Sequence, residues 1–87
     1  MKIDIRRAFE RDAEKLPAKV QAQLSVIIQQ ISQAEKLSEL SSCKKLQGHK
    51  NAYRIRMGSY RVGFFFENGM IELVRVLNRK DIYKYFP

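Results

Sequence analysis

The sequence predicts an α+β domain: an antiparallel sheet packed on one face by an N-terminal helical hairpin, with a short C-terminal helix, in the order β-α-α-β-β-β-α. Three observations carry that expectation. Apolar residues recur every three or four positions through the first 40 residues and every second position after residue 52. Gly58-Ser59 and Asn68-Gly69 each separate two alternating runs by two residues, the signature of tight hairpins. The chain has 87 residues, so residues 1–87 make one domain with room for one sheet and one helical layer.

Taken in order, Lys2 to Arg6 alternate as a short strand with Ile3 and Ile5 inward. From Arg7 to Lys15 the spacing of Phe9, Ala13 and Leu16 becomes helical. Pro17 suits the first turn of a second helix, where its missing N–H costs nothing. That helix carries Val20, Leu24, Ile27, Ile28 and Ile31 as one stripe and runs to about Gln33. Ala34 to Leu40 extends it or adds a further turn, and Ser41, Ser42 and Gly48 punctuate the chain before a sheet that begins near Ala52.

The first hairpin sets Met57 against Tyr60, Arg56 against Arg61 and Arg54 against Gly63. Alternation then places Tyr53, Ile55, Met57, Tyr60, Val62, Phe64 and Phe66 on the core face and Arg54, Arg56 and Arg61 on the other. The Asn68-Gly69 turn sets Phe66 against Ile71 and Phe64 against Leu73, and continued pairing sets Gly63 against Val74 and Arg61 against Val76. Phe65, Val74 and Val76 would thus share the arginine face. A strand glycine such as Gly63 marks a point where a ligand or another backbone comes close. Arg79 to Pro87 forms a short helical tail carrying Tyr83 and Tyr85, one expected to pack inward and one to face the arginines.

Charge is unevenly spread. The chain carries +8 at neutral pH, of which residues 1–42 hold +1 and residues 43–87 hold +7. Like charges opposed across a sheet destabilise it by roughly 0.2–1 kcal/mol per pair, so Arg56 facing Arg61 serves something outside the fold. Guanidinium groups fork onto phosphate oxygens, and a basic wall on a small domain is the footprint of a nucleic-acid binder. Lys44, Lys45, Lys50 and Lys80 extend that wall as candidate nucleic-acid contacts. Only Glu67, Glu72 and Asp81 are available in this half to neutralise it. His49 is the one imidazole, in a polar loop beside the basic hairpin. One cysteine, Cys43, excludes an internal disulfide, and no His/Cys or carboxylate spacing suits a metal, so neither a cofactor nor a metal is expected. No window approaches 18 apolar residues, which points to a cytoplasmic protein with no membrane partner.

The segment KKLQGHKNAYRIRMGSYRVGFFFE (Lys44 to Glu67) and the ending VLNRKDIYKYFP (Val76 to Pro87) resemble the RelE/ParE family of type II toxin–antitoxin toxins. The resemblance covers essentially the whole chain. It implies a ribosome-dependent endoribonuclease that cuts mRNA by 2′-hydroxyl attack without a metal or small-molecule cofactor, with the ribosome, mRNA and a cognate antitoxin protein as partners. Carried across, Arg54 and Arg56 match the two basic residues of the family's second strand, Arg61 the arginine of the third, Arg79 the basic residue after the last strand, and Tyr83 or Tyr85 the tail tyrosine. RelE proper has lysines where Arg54 and Arg56 stand, and related sequences often have histidine at Asn78. Arginine does not act as a general base, so that role passes to His49, Lys80 or a tyrosine. Family members also include ParE-like inhibitors of DNA gyrase without nuclease activity. That reading, and a non-catalytic nucleic-acid-binding module, remain alternatives.

Overall fold

The computed structural model describes residues 1–87. Strand β1 (Lys2–Ile5) leads into helix α1 (Arg7–Glu14) and helix α2 (Ala18–Gln33), and Pro17 stands immediately before α2 rather than inside it. Phe9, Leu16, Leu24 and Ile31 lie at helical spacing and turn together onto the sheet. There they bury Ile55, Met57, Val62, Phe64, Ile71, Leu73 and Val76 in one core. Burying a side chain of this size contributes about 1.5–3 kcal/mol, so this interface holds the two layers together. A 3-10 turn at Leu37–Glu39 then carries the chain to the sheet.

Strands β2 (Cys43–Lys45), β3 (Ala52–Met57), β4 (Tyr60–Glu67) and β5 (Met70–Asn78) complete a five-stranded sheet ordered β1-β5-β4-β3-β2. The three central strands pair antiparallel as the alternation predicts, with Met57 on Tyr60, Arg56 on Arg61 and Arg54 on Gly63. Asn68 and Gly69 both take positive φ, as their tight turn requires.

The structure corrects the sequence expectation in three ways. The sheet gains β2 at its edge, antiparallel to β3, with Lys44 opposite Arg54. Three residues of Cys-Lys-Lys show no alternation to read, and edge strands are commonly short and lysine-bearing because an open edge invites aggregation. Strand β1 joins β5 in parallel, through the crossover made by the helices, so the sheet is mixed rather than wholly antiparallel. Its Ile5 is 40% exposed rather than inward.

The third correction is one of register. Phe66 meets Ile71 and Phe64 meets Leu73 as expected, but a bulge beside Gly63 then pairs Gly63 with Arg75, Val62 with Val76 and Arg61 with Leu77. Val74 is the additional residue. A bulge flips every later side chain to the other face. Val76 therefore joins the helix-covered core, while Val74 stays on the arginine face with Phe65.

Candidate functional site

The face of the sheet opposite the helices has two halves. One half is closed by the chain's own tail. Helix α3 (Ile82–Tyr85) buries Ile82, and with the following Phe86 it packs on Ala52 and Val74, flanked by Leu46, Phe65 and Leu77. Gly63 is what admits it: a Cβ there would sit 2.6 Å from the Phe86 ring. The close approach foreseen at Gly63 is thus made by Phe86, not by a ligand.

The other half is open and basic. Arg54 and Arg56 project from β3 and Arg61 from β4. Arg61 is braced by its own turn, its Nη1 donating to the carbonyls of Gly58 at 2.8 Å and Tyr60 at 2.9 Å. Arg54 donates to the Ser42 carbonyl at 3.2 Å. Arg79 is brought alongside because its backbone N–H donates to the Ser59 carbonyl at 2.9 Å, pinning the end of β5 to the β3–β4 turn. Burial pushes the Arg61 guanidinium below its ordinary pKa. The charges of Arg54, Arg56 and Arg79 act in the same direction, while Tyr83 opposes them. One group thus feels three like charges and one phenol.

No carboxylate relieves this crowding. The three ion pairs of the molecule join Arg6 to Glu72, Arg75 to Asp12 and Lys84 to Asp81. Glu67 precedes the Asn68-Gly69 turn at the far end of the sheet. Arg54, Arg56, Arg61 and Arg79 therefore have no acidic partner. Four such groups can bind phosphate oxygens bidentately and stabilise negative charge that builds on them.

The other sequence candidates separate by position. Both tail tyrosines are exposed, Tyr83 at 57% and Tyr85 at 59%, so neither packs inward; Ile82 and Phe86 hold those positions. Tyr83 lies with Arg61, whereas the Tyr85 ring covers the Arg75 guanidinium at 5.2 Å. Lys44 faces the same side as Arg54, its partner across the strands, and Lys45 lies opposite Tyr53 on the other side. Lys80 is exposed next to Arg79, its N–H donating to the Asn78 side chain at 3.0 Å. His49 and Lys50 sit in the β2–β3 loop, at the end of the sheet away from the Gly58-Ser59 turn. Roughly 13–17 Å of strand separates that loop from Arg61 and Arg56. The loop that carries the imidazole is thus beside the hairpin in sequence but at the other end of it from Arg56 and Arg61.

Sequence reasoning missed one polar cluster. Asp12 on α1 is 7% exposed and accepts from Arg75 Nε at 2.7 Å, Arg75 Nη2 at 3.0 Å and the Val76 N–H at 3.1 Å. Strand β1 stops short of this part of β5, so a side chain satisfies the bare strand edge. The pairing also raises the Arg75 pKa, chiefly through the Asp12 hydrogen bond. A signal existed: Asp12 stands on the stripe of Phe9 and Leu16, where a carboxylate needs a partner.

No family model matches the chain. It is 36% identical to Toxin RelE3 of Methanocaldococcus jannaschii, with 100% of both chains covered. Its fold superposes with a TM-score of 0.84 and 33% identity on a chain of the RelB-RelE antitoxin-toxin complex from Methanococcus jannaschii, covering 97% of this chain and 99% of that one. A chain of the RelE-RelB complex from Pyrococcus horikoshii matches with a TM-score of 0.72 at 19% identity, over 93% and 97% of the two chains, which speaks for the fold alone. On full-length identity to an established toxin, the chain belongs to the RelE family of toxins.

Proposed function

We propose that this protein is a ribosome-dependent endoribonuclease that cleaves mRNA by attack of a ribose 2′-hydroxyl on the adjacent phosphate, and that a cognate antitoxin holds it inactive. The observation that carries the reading is the cluster of Arg54, Arg56, Arg61 and Arg79, crowded together without an acidic partner. Such crowding opposes folding, and a phosphate relieves it.

The chemistry asks three things of the chain. The scissile phosphate must be held in line with the 2′-oxygen, which is the work of a multidentate guanidinium cluster. Charge building on the non-bridging oxygens must be met, and Arg61 with Arg56 and Arg79 would do so. Two protons must move, one from the 2′-hydroxyl and one to the departing 5′-oxygen, leaving a 2′,3′-cyclic phosphate and a free 5′-hydroxyl. The arginines cannot take the first proton. Lys80 or Tyr83 serves there, and Tyr83, exposed beside Arg61, suits delivery of the second.

The antitoxin rests on the relatives: the toxin chain similar to this one was crystallised with RelB. An acidic or amphipathic segment laid over the basic half of the sheet would neutralise its charge and exclude RNA. Inducing the protein alone in bacteria and mapping message 5′ ends tests the proposal. New ends inside coding regions, lost in Arg61→Ala, are expected; growth arrest with intact transcripts and a DNA-damage response would identify a gyrase inhibitor instead.

A further inference from the structure

The unexpected strand β2 creates a second basic feature beside the first. A depression of about 290 Å³ at the outer edge of the sheet is lined by Ser42, Cys43, Lys44, Arg54 and Arg56. No carboxylate borders it. Lys44 and Arg54 are direct cross-strand partners, so both side chains leave the same face. Ser42 continues the edge, its carbonyl accepting from the Arg56 N–H at 3.2 Å and from Arg54 Nη1 at 3.2 Å. None of the three cations is ion-paired. Cys43 pairs with Ile55 and packs against the helix-covered core, and burial raises its thiol pKa, so it adds no negative charge to the depression.

Arg54 and Arg56 therefore stand between two regions of positive potential. Towards β4 and β5 lie Arg61, Arg79 and Tyr83; towards the sheet edge lies Lys44. Neighbouring strands are about 4.8 Å apart, so the backbones that carry Lys44 and Arg61 are separated by roughly 10 Å across the strands. A single bound phosphate would leave one of the two regions unused. A chain of phosphodiesters crossing the strands would engage both.

We propose that Lys44 completes a second phosphate seat, sharing Arg54 and Arg56 with the first, which binds the phosphodiester next to the one held at Arg61. The RNA then runs across the sheet towards its β2 edge, not along the strands. This rests on the reading that the open face takes RNA, and it adds a path and a second contact to that reading. The alternative occupant is a carboxylate from a protein partner, which the same experiment separates.

The test measures binding of 2′-deoxy oligonucleotides, which cannot be cleaved, by the whole protein. A dinucleotide supplies one phosphodiester and a trinucleotide two. The wild-type protein should bind the trinucleotide about fivefold more tightly, the order of gain an exposed charge pair supplies. In Lys44→Gln the two affinities should converge, and the trinucleotide's log-log salt slope should fall by about 0.7, as for one fewer neutralised phosphate on a single strand. Lys44→Glu should push the trinucleotide below the dinucleotide. Circular dichroism checks that both variants fold.

A trinucleotide preference that survives both Lys44 substitutions, while Arg61→Ala still weakens both ligands, overturns the second seat and leaves the first. Binding unaffected by Arg61→Ala overturns the RNA reading itself. Loss in Lys44→Gln of affinity for a polyglutamate peptide, with trinucleotide binding untouched, assigns the depression to a protein partner and also overturns the proposal.

Discussion

Arg61 gathers the site because it is fixed from below and crowded from above. Two carbonyls of its own turn hold the guanidinium, and three neighbouring arginines press on it. Arg79 reaches it through a single backbone hydrogen bond to Ser59, so side-chain truncation leaves the strand anchored. Arg79→Ala should therefore lower cleavage on programmed ribosomes by about 10²–10³, the usual cost of losing one donor to developing charge, with the circular dichroism spectrum unchanged. His49→Gln should leave that rate within about twofold, because the loop lies at the other end of the hairpin from Arg56 and Arg61. A large loss in His49→Gln would return the imidazole to the mechanism.

At the scale of elements, the tail and the bare end of β5 decide whether the site is assembled. Phe86 lies on Gly63 so closely that any Cβ must displace it. Gly63→Ala should cost about 1–3 kcal/mol in urea unfolding, the range for overpacking a filled core, and should lower cleavage by loosening Tyr83. An unchanged midpoint would mean the tail is not seated there. Asp12→Ala removes the acceptor of Arg75 and of the Val76 N–H together, and should destabilise by about 2–4 kcal/mol. Asp12→Asn, which keeps an acceptor, should recover part of that.

These same elements mark where the sequence could be read and where it could not. The hairpins were legible because Gly58-Ser59 and Asn68-Gly69 dictate local geometry, and pairing up to Phe64–Leu73 follows from the turn. Register beyond Gly63 was not, since the turn does not encode a bulge, and the bulge lies where Phe86, 23 residues further on, packs on Gly63. Strand β2 carried no periodicity, so the depression at Lys44 was invisible too. Of the site residues, those placed by alternation on β3 and β4 came out together. Tyr83 and Tyr85 depended on the tertiary docking of four helical residues, and His49 on which end of the hairpin its loop occupies.

For the molecule as a whole, charge and architecture divide along the same line. The nearly neutral N-terminal half supplies the helical layer that buries one face of the sheet, and the strongly basic half supplies the other face. Of the three acids in that basic half, Glu72 and Asp81 are paired elsewhere and Glu67 lies at the far turn. The tail covers the apolar part of the open face and leaves the basic part clear. The molecule thus keeps its main core on one side of the sheet and its excess charge on the other, the side proposed to receive RNA. Single-turnover cleavage of mRNA in programmed ribosomes by the wild-type protein and by Arg61→Ala tests this most directly. The wild type should cut within the codon presented to it, and Arg61→Ala, still folded, should be slower by at least about 10². Equal rates for the two proteins, or no cleavage by either, would contradict it.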